Sequence, residues 1–204
     1  MPNFQNEKKL VLDYWNEVDK CNNQDLEKII SKYTSNNFHM RCTHPFNELN
    51  GVEKVSNQLW VPIKESFKPI QRRLDIFYAG ENSLDENGGV WISSMGHLMG
   101  EFNKSFFGLQ PHYKSSLLRF AEFYKVEGNK ITEGAIFLDI FNFMQQLDLS
   151  IIPESTGLVC VTPGPMNHKG LKFDLSNDNE SEKTLELIHR MRDRLVKGSN
   201  MKSF

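Results

Sequence analysis

The chain has 204 residues, a formal net charge of −2 and 39% hydrophobic residues, and 15 of its residues are phenylalanine. This length suits one domain with appendages, and the apolar content suffices for a buried core. The near-neutral charge gives no argument for a nucleic-acid or anionic-membrane partner, and no apolar run approaches the ~20 residues of a membrane span. We therefore expect neither partner.

The beginning of the chain and its cysteines indicate the cellular compartment. The first residues, MPNFQNEKKL, contain no apolar segment like that of a signal peptide. Cys21, Cys42 and Cys160 are odd in number, and their spacing is not that of a metal site. His39 and His44 lie close together, but no third ligand has a convincing spacing. We therefore expect a cytoplasmic protein with reduced thiols and no bound metal.

The first third of the chain predicts helices and one short strand. Residues 6–20 and 51–67 have apolar side chains at the spacing of amphipathic helices, and Pro62 is expected to kink or divide the second of these. Asn23 is suited to cap a short helix between them. Residues 38–42 alternate between apolar and polar side chains, which is typical of a strand.

The middle of the chain predicts strands of a curved sheet. The strand over residues 72–79 has one apolar face, made of Leu74, Ile76 and Tyr78. A long strand follows over residues 90–102. Gly96 and Gly100 interrupt it and predict bulges or bends.

Residues 117–149 predict a β-hairpin that carries an isolated carboxylate. Glu127-Gly128-Asn129-Lys130 suits a tight turn, because Gly and Asn tolerate the positive φ that such turns require. If the register continues unchanged from this turn, Phe120 faces Phe137 and Leu118 faces Asp139. One face would then hold Leu118, Phe120, Glu122, Tyr124, Ala135, Phe137 and Asp139. This face is an aromatic wall with two carboxylates, and a buried carboxylate is costly unless it is paired or used.

The end of the chain predicts a connecting segment and one helix. Residues 153–179 are rich in Gly, Pro and Asn, which is typical of a surface wrap or a linker. Residues 180–197 predict a helix with one apolar stripe, made of Leu185, Ile188, Met191 and Leu195. A helix of about 18 residues is marginal alone in water, so we expect it to dock on the rest of the chain or on a second copy.

This order of elements resembles the nuclear transport factor 2-like cone fold and, more closely, the SnoaL-like polyketide cyclase family. The residues that carry the resemblance, which covers roughly residues 8–150, are Tyr14-Trp15, Pro45-Phe46 to Trp60, Gly96-His97, Gly100-Glu101-Phe102, Phe107-Gly108 and Arg119 through Asp139. The resemblance implies an α+β fold in which N-terminal helices pack on a curved, mostly antiparallel sheet. It also implies a cone domain over residues 1–150 and a C-terminal extension with one helix over residues 151–204.

The resemblance also implies an activity. In these cyclases an apolar cone binds a polycyclic ketone ester, and an Asp on the last strand is the acid/base group of an intramolecular aldol reaction without a cofactor. Asp139 occupies that position, and His97 occupies that of a pocket histidine, so both are expected to be catalytic. The residues expected to contact a hydrophobic small-molecule substrate are Tyr14, Trp15, Trp60, Trp91, Phe120, Glu122, Tyr124 and Phe137. Family members commonly pair through the outer face of the sheet, which implies a homodimer.

Plainer interpretations remain open for each of these residues. Asp139 could cap a helix that begins near Phe141, and His97 could be structural. Glu122 could form an ion pair with Arg119 or Arg41. The chain is therefore either an acid/base cyclase or isomerase that acts on a hydrophobic carbonyl compound, or a non-catalytic module of the same fold that binds small molecules or proteins.

Overall fold

The structure is a computed structural model that describes residues 4–82, 88–149, 153, 164–175 and 178–200. The chain divides into one compact unit over Phe4–Phe173 and a second that includes Asp174–Phe204. The expected domain boundary after residue 150 falls outside the described residues, as does Cys160. Within the described residues, no helix is long and apolar enough to cross a membrane.

The predicted N-terminal helices are confirmed. Helix α1 spans Gln5–Lys20, and a 3-10 turn over Asn23–Asp25 leads into α2 (Leu26–Tyr33). The apolar stripe of α1 is buried, with Tyr14 and Trp15 at its centre. Burial of such large aromatic side chains contributes several kcal/mol, which fixes this helix on the sheet.

The third helical region changes its helix type along its length. It consists of α3 (Val52–Lys54), a π-helical segment over Val55–Trp60 and α4 (Val61–Ser66). Pro62 is the second residue of α4 and directly follows the π-helical segment, at a position where proline removes one backbone donor from the helical run. The predicted division at this proline is therefore a change from π-helical to α-helical geometry.

In the described part of the chain, six strands form one mixed sheet. They are β1 (Thr34–Cys42), β2 (Glu48–Asn50), β3 (Phe67–Glu81), β4 (Val90–Phe102), β5 (Ser115–Glu127) and β6 (Lys130–Leu138). Their spatial order is β2-β1-β6-β5-β4-β3. Only β1 and β6 run parallel, and the other neighbouring pairs are antiparallel. The N-terminal helices up to α4 cover one face of the sheet, which we call the inner face, and the opposite face is the outer face.

The sheet is irregular beside Gly96 and Gly100, as predicted, but the extra residues lie in β3 and not in the strand that carries the glycines. The register of β3 against β4 shifts between Leu74 and Ile76 and again between Lys68 and Gln71. A Cβ on Gly96 would lie 2.0 Å from the carbonyl oxygen of Arg73, so the strands can approach this closely only at glycine.

The first of these shifts reverses the faces of β3. Beyond the shift, Phe77 is fully buried, whereas Tyr78 is 48% exposed. The expectation that Leu74, Ile76 and Tyr78 share one face is therefore wrong, because one extra residue in a strand exchanges its two faces.

Part of the predicted C-terminal wrap pairs with the edge of the sheet. The N–H of Phe77 donates to the carbonyl of Gly170 at 2.8 Å, and the N–H of Lys172 donates to the carbonyl of Phe77 at 2.7 Å. The rings of Phe77 and Phe173 lie 5.2 Å apart. This segment covers backbone groups of β3 that an edge strand would otherwise expose.

The last helix, α6 (Asp178–Asn200), belongs to the second unit. Its existence confirms the helix predicted over residues 180–197. The four side chains of its predicted stripe are about half exposed or more. Docking of this helix on another surface stays a prediction.

Candidate acid/base site in the cone

Strand β5 places one carboxylate in the centre of the inner face. Phe120, Glu122 and Tyr124 alternate with outward side chains and are buried, and Glu122 is 0% exposed. Helix α1 and the π-helical segment bring Tyr14, Trp15 and Trp60 against the same region. Six of the eight residues expected to contact a substrate are therefore brought together inside the cone.

Arg72 on β3 is the partner of Glu122. Its Nη1 donates to Glu122 Oε1 at 2.7 Å, and its Nε donates to Asp19 Oδ2 at 2.9 Å. Only 6% of the Arg72 side chain and 16% of the Asp19 side chain are exposed. We call these three residues the charge network. The alternative interpretation of Glu122 as an ion-pair residue is confirmed, but its partner is neither Arg119 nor Arg41, since Arg72 reaches it from two strands away.

Aromatic rings enclose the guanidinium group of Arg72. Its central carbon lies 4.9 Å from the ring centre of Trp15, 5.4 Å from Trp60 and 5.1 Å from Phe120. A planar guanidinium group is attracted to the negative faces of such rings, most strongly where water is excluded. These contacts hold the cation beside Glu122.

Lys64 binds the backbone of Asp19, at the end of the charge network opposite to Glu122. Its ammonium group donates to the carbonyls of Val18, Asp19 and Cys21 at the end of α1, at 3.0 Å for Asp19 and 2.9 Å for Cys21. A cation at a helix C-terminus satisfies free carbonyls and complements the helix dipole. Asp19 and Lys64 also line a surface cleft of about 570 Å³. The charge network thus runs from this cleft to the buried Glu122.

Three polar atoms in the cone are buried without a close hydrogen-bond partner among the described residues. They are Oε2 of Glu122, the hydroxyl of Tyr124 and Nε1 of Trp15. The Tyr124 hydroxyl lies near Glu122, Tyr14 and Trp15. Most buried polar atoms in proteins are paired, so unpaired ones require an explanation such as a ligand or a reacting group. The hydroxyl of Tyr14, in contrast, accepts a hydrogen bond from Trp60 Nε1 at 3.2 Å.

Burial controls the protonation of these groups. Burial raises the pKa of Glu122, and the nearby Arg72 opposes this effect without cancelling it. Burial likewise raises the pKa of the Tyr14 and Tyr124 hydroxyls, so both stay protonated near neutral pH. Asp19 and Glu122 raise the pKa of Arg72 despite its burial, so it stays charged. The cone thus combines a carboxyl group of raised pKa with two O–H donors.

The aromatic side chains fill the centre of the cone in this conformation. Tyr14, Trp15, Trp60, Phe120 and Tyr124 are each at most 2% exposed. The ring centres of Tyr14 and Tyr124 lie 5.6 Å apart, and those of Trp15 and Tyr124 lie 5.9 Å apart. A substrate therefore reaches Glu122 only if some of these rings move.

Asp139 lies outside the cone. It is the N-cap of α5 (Ile140–Gln146), and its Oδ1 accepts a hydrogen bond from the N–H of Asn142 at 3.0 Å. Its side chain is half-buried and lines an outer-face depression with Arg119 and Phe137. This geometry matches the alternative interpretation of Asp139 as a helix cap.

Three other predicted site residues also lie on the outer face. In β4 the inward residues include Ile92 and Leu98, so the expectation that Trp91 and His97 line the cone is wrong. Phe137 is 54% exposed, and its predicted place inside the cone is wrong as well. A register shift beside Val126 moves β6 by one residue, so that Phe137 pairs with Ala121 instead of Phe120.

Arg72 and Asp19 were not among the predicted site residues, because the sequence pattern gives little indication that either is buried. Arg72 is two residues before Leu74, in the phase of an apolar face, and a cation in that phase indicates a buried anionic partner. Asp19 gave no comparable signal, because it follows the last inward residue of an ordinary amphipathic helix.

Comparison with solved structures decides the fold. No protein-family model and no curated protein matches the chain at a significant level. AclR from Streptomyces galilaeus, provisionally assigned as a hydroxylase, is 20% identical, with a TM-score of 0.53 over 70% of this chain and 96% of AclR. A provisionally assigned polyketide cyclase from Acidithiobacillus ferrooxidans is 14% identical, with a TM-score of 0.55 over 72% and 98% of the two chains.

A third neighbour, from Jannaschia, is a provisionally assigned SnoaL-like polyketide cyclase. It is 16% identical, with a TM-score of 0.51 over 73% of this chain and 94% of its own. The chain has the SnoaL-like, nuclear transport factor 2-like fold. The expected fold class, helices on a curved and mostly antiparallel sheet, is confirmed. At these identities the neighbours share only the architecture of the cone with this chain, and its function has to be argued from its own side chains.

Proposed function

We propose that the protein is a cofactor-free acid/base enzyme that acts on a hydrophobic carbonyl compound inside the cone. It is most like a polyketide cyclase or an isomerase, and Glu122 is its acid/base group. One observation carries this proposal: Arg72 fixes one oxygen of a fully buried carboxylate, while the other oxygen has no partner among the described residues. The fold shared with proteins provisionally assigned as polyketide cyclases supports the general kind of chemistry.

The proposed reaction uses the free oxygen of Glu122 as a base. Oε2 removes a proton from the carbon beside the substrate carbonyl, and the C–H electron pair forms an enolate. The hydroxyl of Tyr124 donates a hydrogen bond to the enolate oxygen. In a cyclase, the enolate carbon then attacks a second carbonyl of the same molecule, and a ring closes. In an isomerase, the enolate is instead reprotonated at another carbon. Glu122 returns its proton to the new alkoxide or carbon.

The electrostatics of the cone suit this sequence of steps. A raised pKa moves a carboxyl group toward neutral pH, where it can both accept and release a proton. Arg72 keeps the carboxylate oriented, and the protonated Tyr124 supplies a donor in a site from which water is excluded. General acid/base groups of this kind contribute about 10² to 10⁴-fold in rate.

A second candidate function is a binding or interaction module without turnover. It is favoured by the aromatic side chains that fill the centre of the cone. In that case the charge network stabilises one conformation of the cone, and its unpaired atoms have no chemical task.

Proton abstraction can be tested before the true substrate is known. The wild-type protein is incubated in D₂O with a panel of aromatic and polycyclic ketones and β-keto esters, and deuterium uptake beside the carbonyl is followed by mass spectrometry. We expect catalysed uptake for at least one compound and a loss of about a hundredfold or more in Glu122→Gln. Asp139→Asn keeps a capping side chain and should exchange at the wild-type rate. Equal rates in wild type and a folded Glu122→Gln protein would leave the binding module as the better account.

We also propose that the protein is a cytoplasmic homodimer that pairs through the outer face of the sheet. Tyr78, Trp91, Phe123 and Ala135 line an apolar depression of about 370 Å³ on that face. The exposed Phe137 lies beside it and packs edge-on against Phe123, with ring centres 6.1 Å apart. Exposed aromatic groups of this kind are typical of protein–protein contacts.

A further inference from the structure

A second cleft lies on the outer face of the sheet, on the side opposite to Glu122. It has a volume of about 350 Å³. Its floor is formed by Arg73, Asp75, His97 and Leu117, and its other wall by Gly164, Pro165, Met166 and His168. Both walls belong to the same compact unit. The cleft therefore brings three strands together with the segment that follows the cone.

The floor of the cleft contains a buried Asp–His pair. His97 Nδ1 lies 3.1 Å from Asp75 Oδ2, and His97 is only 5% exposed. The other ring nitrogen, Nε2, is buried and has no hydrogen-bond partner among the described residues. An aspartate bound to Nδ1 fixes the ring orientation and leaves Nε2 for a ligand.

The backbone is shaped to make this pair. Asp75 is the extra residue of the register shift in β3, and such bulges re-aim side chains. A Cβ on Gly164 would lie 2.3 Å from the Cβ of Asp75, so only glycine lets the connecting segment approach this closely. Two irregular features of the chain thus meet at one carboxylate.

The charged groups around His97 favour the binding of an anion. Arg73, His97 and Arg119 are directly paired across β3, β4 and β5, which places a histidine between two arginines on one face. The other titratable groups that face it are Asp75 and His168. Burial lowers the pKa of His97, with Asp75 opposing, and both arginines lower it further. The ring is thus neutral near pH 7 until a negative charge arrives.

We propose that this cleft binds a small organic acid whose carboxylate or phosphate group lies between Arg73 and His97. An oxyanion alone is much smaller than the cleft, and Leu117, Pro165 and Met166 offer apolar surface to the rest of such a molecule. On binding, His97 takes up a proton and its Nε2–H donates to the anion, while Nδ1–H donates to Asp75. This site is independent of the proposed reaction in the cone.

The proposal is tested by calorimetric titration with four probes: benzoate, acetate, phenyl phosphate and inorganic phosphate. We expect millimolar or tighter binding that strengthens as the pH falls from about 8 to about 6, with uptake of one proton measured from the dependence on buffer ionisation enthalpy. Benzoate should bind more tightly than acetate, and phenyl phosphate more tightly than phosphate. Whether benzoate or phenyl phosphate binds more tightly distinguishes carboxylate from phosphate ligands.

Three variants and one control complete the test. Arg73→Gln and His97→Gln should each weaken binding about tenfold or more. Asp75→Asn, a positioning variant, should lower the pKa of His97, measured by NMR titration of its ring protons, and abolish proton uptake. Arg41→Gln removes a similar charge from β1 and should bind like the wild type.

Saturable binding lost in the first two variants and kept in the control supports the site. No saturable binding of any probe up to tens of millimolar would overturn it, as would binding that Arg41→Gln weakens equally. If His97→Gln does not fold, the NMR titration of His97 in the wild-type protein decides. Its pKa should rise when benzoate or phenyl phosphate is added, and an unchanged pKa contradicts the proposal.

Discussion

The hydroxyl of Tyr124 lies inside the cone, near Glu122, Tyr14 and Trp15. The group is buried without a partner among the described residues, and an unsatisfied buried hydroxyl costs about 1–3 kcal/mol. We predict that Tyr124→Phe unfolds with the same or a higher free energy, by up to about 1–2 kcal/mol. The same variant should lose about tenfold or more of the deuterium exchange. Urea denaturation and the exchange assay measure the two effects.

Tyr33→Phe is the matched control. The hydroxyl of Tyr33 donates to Glu17 at 2.7 Å near the surface, so its removal should cost about 1 kcal/mol and leave the exchange rate unchanged. A destabilised Tyr124→Phe protein with full exchange activity would show that the Tyr124 hydroxyl serves the fold.

Glu122 gives the stability of the protein a definite dependence on pH. Its pKa in the folded state lies above the ordinary value of 4.5, so the folded state binds its proton more tightly than the unfolded state does. The free energy of unfolding should therefore fall as the pH rises from about 4.5 to the raised pKa, relative to Glu122→Gln. Urea denaturation of both proteins at several pH values measures this difference. A difference that grows with pH would have the wrong sign.

At the scale of secondary structure, the contact between β3 and β4 depends on Gly96. A Cβ at this position would meet the backbone of Arg73 at 2.0 Å, and backbone atoms cannot yield as a side chain can. We predict that Gly96→Ala lowers the free energy of unfolding by about 2 kcal/mol or more. Gly80→Ala is the control on the same strand pair. Its Cβ would meet nothing within 4 Å, so its effect should stay within about 0.5 kcal/mol. Similar effects of both substitutions would contradict this account of the bulge.

The β5–β6 hairpin shows how far sequence reasoning extends. The turn was predictable from Gly128, because a tight hairpin turn requires a positive φ that glycine adopts more readily than other residues. In the structure Gly128 has a φ of 60°. The pairing of Glu127 with Lys130 and of Val126 with Ile131 is confirmed. The shift beside Val126 adds one residue to β6, so the buried positions change from Ile131 to Gly134, Ile136 and Leu138. The sequence did not reveal this change, because Ala135 and Phe137 on the other face are also apolar.

The charge network shows where sequence reasoning fails. Glu122 was predictable as an inward carboxylate from the alternation of β5. Its partner was not, because Arg72 lies on β3 and β4 separates the two strands. Neighbouring strands are about 4.8 Å apart, so a long side chain can bridge two of them without any local pattern.

At the scale of the whole molecule, the exposed aromatic side chains of the outer face predict a homodimer. We expect light scattering at tens of micromolar to give twice the mass of one chain, with an interface above roughly 1,000 Å². Phe137→Asp puts a charge beside the apolar depression of this contact and should yield monomers. Tyr113→Asp changes a side chain that is also exposed but lies in the loop before β5, and this variant should remain a dimer. A wild-type protein that is monomeric at this concentration contradicts the prediction.

The central claim is that the cone holds a carboxyl group prepared to exchange protons. Carbon-13 NMR of the protein labelled at glutamate carboxyl groups measures this directly, and the Glu122 signal is assigned by its loss in Glu122→Gln. Glu17 and Glu65 serve as internal references, because Lys32 and Lys104 lower their pKa values. We predict that the pKa of Glu122 lies above the ordinary glutamate value of 4.5 and well above those of both references. A pKa of Glu122 equal to those of Glu17 and Glu65 would contradict the claim. Glu122 would then be a fixed ion-pair partner of Arg72.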